Sequence, residues 1–133
     1  MDQRRFTFSK EERLSSKISI EDLFAKGDTF FKYPFKVIVK KSSAEKDSIV
    51  RILISVPKRT FKKAVDRNKI KRLIREAYRL NKNIVYPSLA ETTHFLDIAF
   101  VYTAKSILSY SEIERKIILI LQTIKKRNEV FAD

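Results

Sequence analysis

The sequence predicts a single α+β domain, an α/β sandwich with the element order α-β-β-β-α-β-α. Two periodicities predict it. Apolar and polar residues alternate from Phe35 to Lys40 and again from Ile49 to Val56, as in half-buried strands. Between Asp66 and Lys82 and between Ile113 and Ile124 the apolar residues recur at three- and four-residue spacing, as on amphipathic helices. A chain of 133 residues fits one domain over 1–133 and buries roughly two-thirds of its unfolded surface.

The elements follow in order. Residues 1–12 are basic and polar apart from Phe6 and Phe8 and read as a flexible arm. Ser19 is a candidate N-cap for a short helix through Lys26, and Gly27, the chain's one glycine, a candidate stop. Ile20, Leu23 and Phe24 form its apolar face. A short strand around Thr29 to Phe31 precedes the strand of Phe35, Val37 and Val39 on one side and Lys36, Ile38 and Lys40 on the other. The polar run Ser42 to Ser48 predicts a hairpin into the strand Ile49–Val56, with Val50, Ile52, Ile54 and Val56 inward.

Pro57 ends that strand. Thr60 and Asp66 are both usable N-caps for the helix that follows, which Pro87 stops. Phe95 to Tyr102 (FLDIAFVY) reads as a buried strand. Ser111 to Glu114 has the form of a capping box. Behind it Ile113, Ile117, Ile120, Leu121 and Ile124 make a core stripe, and Lys125 to Arg127 sit at the negative end of the helix dipole.

Charge points to a partner. The net charge is +13, and the stretch Pro57 to Lys82 carries eleven cations against Asp66 and Glu76 alone. On a helical projection Arg67, Lys71, Lys82, Arg75, Asn68, Arg79 and Arg72 share an arc of roughly 140°. Leu80, Leu73, Ala77, Ile70 and Ile74 lie nearly opposite. Such like-charge neighbours repel by a few tenths of a kcal/mol per pair. A solvated face does not need that, whereas a polyanion backbone rewards it. Lys58, Arg59 and Lys62 extend the ladder into the preceding loop.

Other chemistries find no support in the residues. The sequence has no cysteine, one histidine (His94) and no glycine-rich phosphate loop. Asp47, Asp66 and Asp97 lack paired spacing. No cofactor is therefore expected on the protein, and no catalytic or metal-ligating residue is assigned. The start MDQRRFTFSKEER has no apolar signal region, and the aliphatic run Ile117–Leu121 is far too short for a bilayer. A cytoplasmic protein without a membrane partner is the expectation.

The run Ala64-Val65-Asp66-Arg67-Asn68-Lys69-Ile70-Lys71-Arg72-Leu73-Ile74-Arg75 resembles the A-V-x-R-N-x-x-K-R-x-x-R signature of the bacterial ribonuclease P protein subunit. Arg13-Leu14, then Ile20 to Gly27, stand in the register of that family's R-L and F-x-x-V-F-x-x-G. The likeness extends from Arg13 to Lys126.

The resemblance implies a left-handed crossover through the basic helix. It implies binding of the catalytic RNA through Lys58, Arg59, Lys62, Arg67, Asn68, Lys71, Arg72, Arg75 and Arg79. It also implies a cleft for the single-stranded 5′ leader of precursor tRNA, formed here by Ile20, Phe24, Lys36, Ile38, Lys40, Arg51 and Ser55. Ile20 and Ile38 stand where the family carries aromatics, and an aliphatic side chain offers no π-face. Hydrolysis of the leader bond falls to the RNA subunit with its Mg²⁺. Two other readings are weighed. A ribosomal-type RNA-binding module would share the basic helix. A major-groove DNA reader would have only Asn68 as an amide on that face.

Overall fold

The computed structural model describes Phe8 and residues 10–42, 50–85 and 95–130. Four strands, β1 (Asp28–Lys32), β2 (Phe35–Ser42), β3 (Val50–Ser55) and β4 (Phe95–Tyr102), form one sheet in the order β1-β2-β4-β3. Helix α1 (Lys17–Lys26) covers one face; α2 (Ala64–Asn81) and α3 (Tyr110–Val130) cover the other. The sequence-based element order holds throughout.

β4 occupies the centre because both of its faces are apolar. Leu96, Ile98, Phe100 and Tyr102 enter the large core with α2 and α3, while Ala99 joins Leu14, Leu23 and Ile38 beneath α1. β4 runs antiparallel to β2 and parallel to β3, so α2 is the crossover of a parallel β3-α2-β4 unit. This corrects the expected β2–β3 hairpin. The more apolar β4 lies between those strands, and the proposed turn residues 43–48 lie outside the described residues, as do Pro87 and His94.

The caps differ from expectation. Ser16, not Ser19, caps α1, its Oγ accepting from the Ser19 N–H at 3.4 Å. Ser109, not Ser111, caps α3, its Oγ accepting from the Glu112 N–H at 3.2 Å. In both cases the helix starts two or three residues early because a second serine stands upstream. Neither Thr60 nor Asp66 caps α2. Its N-cap is Lys63, without a side-chain bond.

Gly27 ends α1, donating its N–H to Leu23 O, but with extended backbone. Its smallness serves a close approach: a Cβ there would lie 2.6 Å from Ile38 Cγ2. That contact seats α1 on the sheet.

The last three residues of the segment read as an arm are structured. Residues Lys10–Glu12 form a 3₁₀ turn, and Glu12 is buried against Lys82. Leu14 then donates to Ile52 O at 2.8 Å, adding a short parallel bridge to the β3 edge. Residues 1–7 and 9 lie outside the described residues.

Candidate nucleic-acid interface

The basic loop is held by one aromatic. Phe61 is buried against Tyr102, ring centroids 5.9 Å apart, and its N–H closes a turn onto Pro57 O at 3.0 Å. Lys58, Arg59 and Lys62 consequently project from a fixed turn into solvent.

On α2 the buried residues are Ile70, Ile74, Ala77 and Tyr78. The apolar arc is therefore rotated toward Tyr78 relative to the sequence projection: Leu73 is half-buried and Leu80 is 41% exposed. The reason is the edge-on packing of Tyr78 against Phe8 and its tilted contact with Phe100, which draw that side of the helix inward. Asn68 and Arg72 are exposed; Lys71, Arg75 and Arg79 are half-buried.

Not every cation of the projected ladder faces solvent. Lys82 turns inward to Glu12 and leaves the arc. Arg67 Nη1 donates to Phe61 O at 2.8 Å and Lys62 O at 2.9 Å, so part of its fork clamps the loop to the helix. Arg79 pairs with Glu76 at 2.6 Å, and that bond holds the Glu76 carboxyl below its ordinary value. Among the described residues no carboxylate pairs with Lys58, Arg59, Lys62, Lys71, Arg72 or Arg75. These six, with Asn68, form the cationic surface.

Lys71 and Arg75 also reach a cavity of about 290 Å³ shared with Phe8, Arg13, Leu14 and Ile54. Arg13 stacks over Phe8 at 5.3 Å. Sequence reading did not assign Arg13 to the basic surface, because only its bridge to Ile52 brings it beside α2.

The second group of residues lies on the opposite sheet face, around α1. Leu23 points straight into the sheet. Asp22 leans to one side and pairs with Lys40 at 2.6 Å, which holds its carboxyl below the usual range. Phe24 follows Leu23 by about 100° around the helix. It therefore leans the other way, and it is 46% exposed. Ile20 is half-buried beside the small α1 core.

Three of the proposed cleft residues are placed otherwise than the sequence implied. Ile38 is 2% exposed, beneath Leu23 and Gly27, so it supports α1 and offers no floor to a ligand. Arg51 is spent on Asp97, its Nε and Nη2 each donating at 2.9 Å to one carboxylate oxygen. Lys40 is engaged by Asp22. An alternation pattern reports which side a residue faces, not what is packed upon it.

The open part of this face is the next row of the sheet. Lys36 pairs with Val101, and Val101 with Ser55; all three are half-buried. Phe24 and this row lie on the same side of the sheet and together offer one lysine, one hydroxyl and an exposed ring. An exposed ring for stacking and a cation for the backbone on one face are the features that suit a single strand.

The chain has relatives among known proteins. The family model described as Ribonuclease P matches residues 8–125. The ribonuclease P protein component of Porphyromonas gingivalis is 37% identical over 110 residues, covering 83% of this chain and 80% of the relative. That of Chlorobaculum tepidum is 34% identical over 113 residues, covering 79% and 73%. Among solved structures, the Staphylococcus aureus RNase P protein superposes with a TM-score of 0.67 at 23% identity, covering 87% of this chain and 97% of that one. The Thermotoga maritima RNase P protein gives 0.67 at 24%, covering 84% and 96%.

Proposed function

Because the chain belongs to the ribonuclease P protein family, it is a protein component of the endoribonuclease that processes tRNA precursors, and we propose a division of labour between its two faces. The α2 face binds the catalytic RNA: Lys58, Arg59, Lys62, Asn68, Lys71, Arg72 and Arg75 contact its phosphates. Arg67 shapes the loop that presents them, and Arg79 contributes from its pair with Glu76. The cleft between α1 and the Lys36–Val101–Ser55 row takes the 5′ leader of precursor tRNA, with Phe24 stacking on a base.

The protein's role in this scheme is positioning. Holding the leader on one face and the catalytic RNA on the other fixes the scissile bond relative to the RNA, which lowers the entropic part of the barrier. Among the described residues no three acids, histidines or cysteines are grouped as a metal site would require. In this proposal the hydrolytic chemistry belongs to the RNA subunit and its Mg²⁺. No helix among the described residues is long and apolar enough to cross a membrane. A cytoplasmic location, where tRNA precursors are met, is part of the proposal.

The observation that carries this reading is the separation of the cationic α2 surface from the Phe24 cleft by the sheet. The test is cleavage of precursor tRNA by a bacterial ribonuclease P RNA at Mg²⁺ too low for the RNA alone. Adding this chain restores cleavage at the mature 5′ end. A chain that binds the RNA without restoring cleavage would leave it an RNA-binding module of another kind.

A further inference from the structure

The floor of the cleft does not end at β2. Phe31 of β1 is the direct cross-strand partner of Lys36, and directly opposed residues point to the same face. Phe31, Lys36, Val101 and Ser55 therefore form one row across all four strands. At the usual strand spacing of about 4.8 Å the row is roughly 14 Å long. That is room for about two stacked-out nucleotides.

Phe31 is 68% exposed. β1 is the edge strand, and α1 passes over the rows of Ile38 and Lys40 instead of this one. The ring is thus left uncovered by the fold, beside a lysine, on a chain of net charge +13. Tyr33, in the turn that follows, is 60% exposed. An apolar ring kept in water next to a cation, at the end of a groove, has the features that grip a single strand: a π-face for a base and a charge for the neighbouring phosphate.

We infer that Phe31 is a base-stacking platform for single-stranded RNA, extending the cleft from Phe24 across Lys36 to the β1 edge. The inference rests on the proposal that the cleft takes the leader, and it adds the position of a second stacked base.

The chain contains no tryptophan, so Phe31→Trp places a single indole in the row. The probe is a short single-stranded oligoadenylate titrated into the full-length chain. Saturable quenching of the F31W emission is expected, with wild-type-like affinity. Phe31→Ala and Phe31→Leu should each weaken binding by about 5- to 150-fold, the leucine variant failing because it keeps bulk and loses the π-face. Melting temperatures of all three should stay near wild type, since the side chain is exposed.

In the holoenzyme, F31A should narrow the affinity advantage of leader-bearing over leaderless tRNA. Oligoadenylate affinities of F31A and F31L within twofold of wild type, with unquenched F31W emission, would overturn the inference. F31W emission that changes with protein concentration and not with RNA would also overturn it, assigning the ring to contact between copies. In either case a wild-type holoenzyme that still prefers the leader leaves the cleft proposal standing. One with no preference removes both.

Discussion

Lys82 and Glu12 meet across 70 residues of sequence: Lys82 Nζ donates to both carboxylate oxygens, at 3.0 and 2.9 Å, and the pair is buried. This bond ties the start of the fold to the end of the basic helix. Removing one partner leaves a buried charge, which costs about 3–5 kcal/mol. Glu12→Ala and Lys82→Ala are each expected to destabilise by that amount in urea unfolding. Replacing both together by apolar residues of similar volume should recover much of the loss. Near-neutral single substitutions would mean that water reaches the pair.

The two faces of α2 should separate cleanly in measurement. Ile74 is fully buried, so Ile74→Ala should cost about 2–5 kcal/mol through the cavity it leaves. The double variant Arg72→Ala and Arg75→Ala should melt near wild type, because among the described residues neither guanidinium pairs with a carboxylate and solvent-facing charges contribute little to folding. It should weaken binding of the catalytic RNA and flatten the dependence of log affinity on log salt by about 2. The wild-type slope itself should lie near −4 to −7, for about five to eight phosphates engaged.

Arg51 was expected from sequence to face the leader, and its pairing with Asp97 gives a different expectation. Arg51→Ala should destabilise the fold, since Asp97 is buried and would lose both donors. Arg51→Lys should recover only part of the stability, because an ammonium cannot make the bidentate contact. Chemical denaturation of the two variants decides this. A fully stable Arg51→Ala variant with impaired leader binding would return Arg51 to the cleft.

Much of the fold was legible because it depends on local periodicity. The stripe Ile113, Ile117, Ile120, Leu121 and Ile124 is buried throughout, and β4 has the bounds its composition implied. What sequence could not show was long-range pairing. Lys82 fell on the cationic arc of the projection, yet its partner lies in a segment that looked unstructured. Ile38 alternated toward the lysine side, but α1 settles on that side. Phe31 stood in a short predicted strand with no role assigned, and only the strand order shows it to be at an uncovered edge. Of the site, the α2 surface was legible from charge alone; the shape of the cleft required the sheet.

Asp22 gives a pH-dependent signature. Its hydrogen bond from Lys40, joined by one from Lys26, lowers its pKa below the ordinary 3.8. A carboxyl lowered in the folded state contributes stability that is present above its unfolded pKa and is lost as pH falls through the folded value. The melting-temperature gap between wild type and Asp22→Asn should therefore be constant from neutral pH down to about 5 and close below about 4. A gap that persists in acid would assign the effect of Asp22 to something other than its charge.

The most direct test of the account is the affinity of the assembled holoenzyme for precursor tRNA with and without its 5′ leader, for wild type and Phe24→Ala. Phe24 is half-exposed on the cleft side of α1, and one base–aromatic stack is worth about 1–3 kcal/mol. The account predicts that Phe24→Ala weakens binding of the leader-bearing substrate by that amount, leaves mature tRNA unaffected and melts near wild type. An equal loss for both substrates, or none for either, would contradict it.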